Sequence, residues 1–174
     1  MPFHVFGYGS LMWRPGFDFV ARQNGTVRGR HRRLCVYSWV HRGTRERPGL
    51  VLGLDRGGAC RGVLFKVADE EREAVTEYLR AREQVTNVYL ERTLPVRCDD
   101  GSTVEALTYV VDRQHPQYAG ALSLDETLSV VCGAVGQSGR NEEYVLSTAA
   151  HLAEVGVTDD RLYAVAAAVR QRAA

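Results

Sequence analysis

Val5-Phe6-Gly7-Tyr8-Gly9-Ser10-Leu11 runs an apolar strand directly into a turn with glycines at alternate positions and a hydroxyl at Ser10. Glycines in such a turn permit dihedrals closed to other residues and let a ligand approach the main chain. Successive N–H groups pointing into one concavity make an anion site. A second candidate is the carboxylate of Glu83, which ends Tyr78-Leu79-Arg80-Ala81-Arg82-Glu83. Glu83 continues the i, i+4 row of Val75 and Leu79, so it falls at the edge of an inward-facing helical stripe. Partial burial raises a carboxyl pKa and suits it to general-base work near neutral pH. The competing reading is a helix-end glutamate paired with Arg80, Arg82 or a neighbouring strand, and periodicity alone favours that pairing. Glu91 is a rival carboxylate, but on a strand it reads as solvent-facing.

The turn fails the usual nucleotide tests. A dinucleotide fingerprint requires a third glycine where Met12 stands, and a P-loop requires Gly-Lys-Ser/Thr. Ser10 does not sit in G-x-S-x-G, and no histidine is placed by sequence to activate it. A tight turn at a barrel mouth explains both glycines without any ligand. In Ser138-Gly139-Arg140-Asn141-Glu142-Glu143-Tyr144, Tyr144 falls in the first turn of a helix, where its hydroxyl can reach a ligand or its ring can pack with Val145 and Leu146. His41 opens a polar loop that closes at Arg47-Pro48-Gly49, and holding that loop suits it better than acting as ligand or acid. Cys35, Cys60, Cys98 and Cys132 are widely spaced, with no C-x-x-C pair and no histidine at zinc-ligand spacing. They read as buried free thiols, with neither a disulfide framework nor a metal site expected.

These residues need a scaffold, and 174 residues suffice for one domain, 1–174, with a proper core. Hydrophobic content of 45% and charged content of 25% fit a soluble globular chain, and no run is long enough to span a bilayer. A cytoplasmic location is expected, with no membrane partner. The net charge of +1 argues against a general polyanion binder, so no nucleic-acid partner is expected. Arg28-Gly29-Arg30-His31-Arg32-Arg33 is read as a strand with one solvated face, leading into Leu34-Cys35-Val36-Tyr37.

Strands are expected at His4 to Tyr8 and within Val27 to Val40. Two hairpins follow: Leu50 to Leu54 with Cys60 to Val67 about Asp55-Arg56-Gly57-Gly58, and Tyr89 to Cys98 with Thr103 to Val111 about Asp99-Asp100-Gly101. Asp69 to Glu83 reads as a helix with Val75, Tyr78 and Leu79 on one face. Ser123 and Glu126 form a capping box for a helix that Gly136 ends, Asn141 caps the next, and a last helix begins near Thr158. The fold class is α+β, a small, mostly antiparallel barrel with helices segregated toward the carboxyl terminus.

Val5 to Arg14, Arg32-Arg33, His41-Arg42-Gly43, Pro48-Gly49, Tyr78-Leu79 with Arg82-Glu83, and Ser138 to Asn141 with Tyr144 together resemble the ChaC-type, glutathione-specific γ-glutamylcyclotransferases. They stand in that family's order at closely similar spacings over nearly the whole chain. The resemblance implies a γ-glutamyl cyclotransferase-like small mixed β-barrel with flanking and C-terminal helices. It implies a lyase that converts glutathione to 5-oxoproline and cysteinylglycine without metal or organic cofactor. In that reading Val5, Phe6, Gly7, Tyr8, Gly9, Ser10 and Leu11 bind the γ-glutamyl moiety, mainly through main-chain groups, Glu83 accepts a proton, and Tyr144 contacts substrate. Two departures bear on selectivity: Leu34-Cys35-Val36-Tyr37 replaces a frequent Phe-Trp-Gln-Gly, and Gln84 to Tyr89 replaces a more usual Gly-Gly-Tyr. Other γ-glutamyl peptides or amines as substrates, and a non-catalytic γ-glutamyl sensor, are the alternatives. The chain is expected to be a monomer.

Overall fold

A computed structural model describes residues 2–173; Met1 and Ala174, the ends of the span read as one domain, lie outside the described residues. The described residues divide into two compact units, residues 2–32 with 54–112 and residues 33–53 with 113–173. Five strands, β1 (Phe3–Gly7), β2 (Ala21–Ser38), β3 (Gly49–Val67), β4 (Tyr89–Cys98) and β5 (Thr103–Val111), close a barrel in the order β1-β3-β2-β4-β5. With the helices that follow, the α+β expectation holds.

In the first unit β1 pairs antiparallel with β3 from Phe3↔Val67 to Gly7↔Val63, and it meets β5 in parallel at Val5↔Leu107. Val5 and Phe6 point to opposite faces yet both are wholly buried, so both faces of β1 are covered. The β4–β5 hairpin forms where Asp-Gly placed it, with Gly101 at φ +90 and the Ser102 N–H donating to Asp100 Oδ1 at 2.8 Å. The other expected hairpin is absent. Asp55 to Gly58 lies inside the unbroken β3, with Gly57 at φ +98 and Gly58 at φ +68. Left-handed glycines inside a strand act as a bulge, bending it without reversing it, and His31 Nδ1 donates to the Gly57 carbonyl at 2.9 Å.

Residues 69–71 form a single 3-10 turn ahead of α1 (Arg72–Glu83). Acidic residues open this segment and Arg80 and Arg82 end it, both favourable to the helix dipole. Val75 and Leu79 are buried as their spacing requires, but Tyr78 is 37% exposed, so the apolar stripe is narrower than expected.

The second unit contains α2 (Leu124–Val131), α3 (Asn141–Glu154) and α4 (Asp160–Ala173), with α4 packed on both α2 and α3. The Ser123–Glu126 capping box forms, while α2 ends before Gly133 at φ +90. Val135–Gly136 instead pairs with Gly139–Arg140 as β6 and β7, leaving Val135 exposed. α4 starts at Asp160, with Asp159 Oδ1 accepting from the Leu162 N–H at 3.0 Å. Cys35, Cys60 and Cys98 are buried free thiols, and Cys132 is partly exposed.

Candidate active site

The glycine turn begins where β1 stops. Residues 10–12 make one turn of 3-10 helix, closed by N–H bonds from Met12 to the Gly9 carbonyl (2.9 Å) and from Arg14 to the Ser10 carbonyl (2.8 Å). The amides that open such a turn are the ones a helix leaves without an internal acceptor. Neither Gly7 nor Gly9 is left-handed, so conformational freedom is not what Gly7 supplies. It supplies space: a Cβ there would stand 2.9 Å from Leu11 Cβ and 3.3 Å from the Met12 nitrogen. Val5, Phe6, Gly7, Tyr8 and Leu11 are all buried, while Gly9 is half-buried and Ser10 exposed. The Phe6 carbonyl already accepts from Thr108 Oγ1 at 3.1 Å. Within Val5 to Leu11, Gly9 and Ser10 are therefore the residues nearest solvent.

Arg32 fixes that stretch. Its Nε donates to the Tyr8 carbonyl and its Nη2 to the Arg61 carbonyl, both at 2.6 Å. The side chain is buried, contrary to the solvated face expected for the arginine run. Because a trans peptide is planar, a Tyr8 C=O held toward Arg32 turns the Gly9 N–H the opposite way.

Glu83, the last residue of α1, has a side chain 19% exposed and an ion pair of 3.5 Å from Oε1 to Arg82 Nε. The rest of the Arg82 guanidinium is engaged elsewhere. Nη1 donates to the carbonyls of Arg14 (2.7 Å) and Pro15 (3.1 Å) and to the Tyr78 hydroxyl (3.1 Å), and Nη2 donates to Ser10 Oγ (2.9 Å). One guanidinium thus lies between the turn and the carboxylate. Burial pushes the Glu83 carboxyl above its ordinary range, and the nearby Arg82 charge offsets part of that rise.

Glu91 is differently placed. Arg80 grips its carboxylate with two bonds, at 3.0 and 2.9 Å, and the Tyr109 hydroxyl donates to it at 2.8 Å. The Arg80 hydrogen bond holds the Glu91 carboxyl below its usual range. Burial, with the anionic Glu91, pushes the Tyr109 phenol up, so it stays a proton donor. Opposed environments separate the two carboxylates: Arg80 holds Glu91 toward its anionic form, while burial pushes Glu83 toward keeping its proton.

In the second unit Tyr144 lies in the first turn of α3. Its hydroxyl accepts the Leu52 N–H at 3.0 Å, and the Arg42 guanidinium sits 5.6 Å from its ring centroid. Asn141 does not cap α3. Its buried amide pairs with Leu50, accepting the N–H at 2.8 Å and donating to the carbonyl at 2.9 Å. His41 has the structural role expected of it, with Nδ1 2.9 Å from Ser138 Oγ and its carbonyl accepting the Ser138 N–H. Among the described residues no three of His, Cys, Asp and Glu come together to hold a metal, and no helix is long and apolar enough to cross a membrane.

The family model described as ChaC-like protein matches residues 3–172. This chain belongs to the ChaC-like family. It is 35% identical over 161 residues to a glutathione-specific γ-glutamylcyclotransferase of Escherichia coli, covering 92% of this chain and 70% of that one. A zebrafish (Danio rerio) protein named glutathione-specific γ-glutamylcyclotransferase 1 is 34% identical over 171 residues, covering 95% and 87%. The crystal structure of a yeast γ-glutamyl cyclotransferase specific to glutathione superposes with a TM-score of 0.85 over 99% of both chains, and at 24% identity it supports the fold.

Three residues of this ChaC-like chain stand in motifs of its sequence, but the sequence did not show what they do: Arg32 on the Tyr8 carbonyl, Arg82 rather than Arg80 beside Glu83, and Asn141 as a strand partner. For Arg32 a signal exists. Buried positions on β2 are odd before Gly29 (Gly25, Val27) and even after it (Arg32, Leu34, Val36, Ser38), with Cys35 buried in addition, and Gly29 has φ +84. A bulge glycine shifts the alternation and puts Arg32 in phase with the core.

Proposed function

We propose that this ChaC-like protein is a γ-glutamylcyclotransferase, a lyase that cleaves glutathione to 5-oxoproline and cysteinylglycine. One observation carries the assignment of its site: the Arg82 guanidinium touches both Ser10 of the glycine turn and the carboxylate of Glu83. That shared contact supports a site in which turn amides and a proton acceptor act together.

The γ-glutamyl unit is bound by the Val5–Leu11 segment, whose Tyr8–Ser10 main chain meets the γ-carbonyl, and Tyr144 is a further substrate contact. The α-amine, with a pKa of about 8 when free, reacts in its neutral form: as its nitrogen attacks the γ-carbonyl carbon, one of its two N–H protons passes to Glu83. Attack closes a five-membered ring, so the enzyme's task is to hold a folded, near-attack shape. Negative charge grows on the γ-carbonyl oxygen, where the turn amides oriented by Arg32 stabilise it; one such donor is worth roughly 3 kcal/mol of barrier. The bond from the γ-carbon to the cysteine nitrogen then breaks. Glu83 returns its proton to that nitrogen, releasing cysteinylglycine without consuming water. We place the reaction in the cytoplasm and take the working form as a monomer that needs no nucleic acid.

Incubation with reduced glutathione, followed by mass spectrometry of both products beside a Glu83→Gln control, tests the reading. Both products from wild type alone are expected. Turnover of γ-glutamyl-alanine or γ-glutamyl-lysine but not glutathione would reassign the substrate, and saturable glutathione binding without product would make the chain a sensor.

A further inference from the structure

We propose that Arg82 is the positioning residue of this site, a single guanidinium that ties the segment after the glycine turn to the helix delivering Glu83. The inference deepens the proposed cyclotransferase and rests on that reading for its kinetic part.

Arg82 bonds the backbone carbonyls of Arg14 and Pro15, directly beyond the 3-10 turn, and the hydroxyl of Ser10 within it. On its own helix it bonds the Tyr78 hydroxyl and faces Glu83. These acceptors spread around the flat fork of an arginine, and a lysine's point charge could satisfy only some of them. Arg80, two residues away, cannot substitute, because both arms of its fork are spent on Glu91. Ser10 is likewise explained: its hydroxyl is an anchor for Arg82 rather than a nucleophile.

The same cation sets the charge of the base. The groups bearing on Glu83 are Arg82 on its own helix and, from β5, Tyr109, whose hydroxyl is held by Glu91 of β4, itself paired with Arg80. Arg82 is the one of these that directly favours ionised Glu83. Without it, burial acts unopposed and Glu83 holds its proton to higher pH.

The test compares wild type with Arg82→Met and Arg82→Lys. The Glu83 carboxyl carbon is titrated by NMR, and kcat and KM for glutathione are measured from pH 5 to pH 9. Arg82→Met is expected to raise the Glu83 midpoint and the acid limb of kcat/KM together, by about one pH unit. Arg82→Lys keeps the charge and loses the fork, so its midpoint stays near wild type while kcat falls about tenfold or more. An unmoved Glu83 midpoint in folded Arg82→Met would overturn the proposal. Should Arg82→Met fail to fold, wild-type kcat in Arg82→Lys would overturn it instead. A raised midpoint in a protein whose wild type makes no 5-oxoproline would sink the cyclotransferase reading and leave the hold of Arg82 on Glu83 standing.

Discussion

Arg32 donates its Nε–H to the Tyr8 carbonyl at 2.6 Å from a side chain only 5% exposed. An arginine from the second strand thus sets the orientation of the peptide that begins the glycine turn. Arg32→Met strips partners from two carbonyls, Tyr8 and Arg61. A stability loss on the order of 3 kcal/mol in urea unfolding is expected, with turnover lowered about tenfold or more as the Gly9 amide loses its aim. Unchanged turnover in the folded variant would show that the turn is held by other means.

Glu83 should make stability and activity respond oppositely to pH. Its folded pKa is raised by burial, beyond what Arg82 recovers. The folded chain therefore binds this proton more tightly than the unfolded chain does, and the group favours folding below about pH 4.3. That contribution is lost as pH rises through the folded pKa. In the proposed mechanism Glu83 acts as an ionised base, so activity is expected to grow over the same interval. Glu83→Gln should match or exceed wild-type stability at pH 7, with a flatter dependence of unfolding free energy on pH, and lose about a hundredfold or more in turnover. A marked stability loss in that variant would assign Glu83 a structural ion pair instead.

Asn141 takes the place of a missing strand for Leu50, supplying one acceptor and one donor from a side chain with no exposed surface. Asn141→Ala abandons a buried N–H and a buried C=O, at a cost on the order of 3 kcal/mol. Denaturant titration reads that loss directly. A cost below about 1 kcal/mol would mean Asn141 acts only as an ordinary first-turn residue.

Gly7→Ala inserts a methyl 2.9 Å from Leu11 Cβ, against a residue anchored in the core. The turn must give, because Leu11 cannot move outward cheaply. Circular dichroism is expected to stay near wild type while turnover drops about tenfold or more. Full activity would show that the turn shifts without consequence.

Local signals and distant partners explain what was legible. Asp100-Gly101 announces its hairpin because a left-handed glycine beside an aspartate needs nothing from elsewhere in the chain. Gly57-Gly58 carries the same local signature and yields a bulge, since the outcome depends on a strand partner that no short window shows. Glu83 was readable as a candidate from its i, i+4 row, but whether Arg80 or Arg82 would meet it was not. That choice turns on Glu91, which sits on another strand and claims Arg80. Asn141 has the residue type of a helix cap and the position of one, and only the placement of Leu50 redirects its amide.

The parallel bridge between Val5 and Leu107 joins points about a hundred residues apart in the chain, whereas the β4–β5 hairpin closes over a turn of four. Loop closure favours short-range pairings first, so the seam along β1 is the last to seal. The Gly7–Ser10 turn extends from β1, which β3 holds on its other edge, so the turn takes its final place only once both edges of the strand are joined. Catalytic competence is accordingly a late event in the life of each molecule: during refolding, helix signal returns early and turnover returns with the slowest phase.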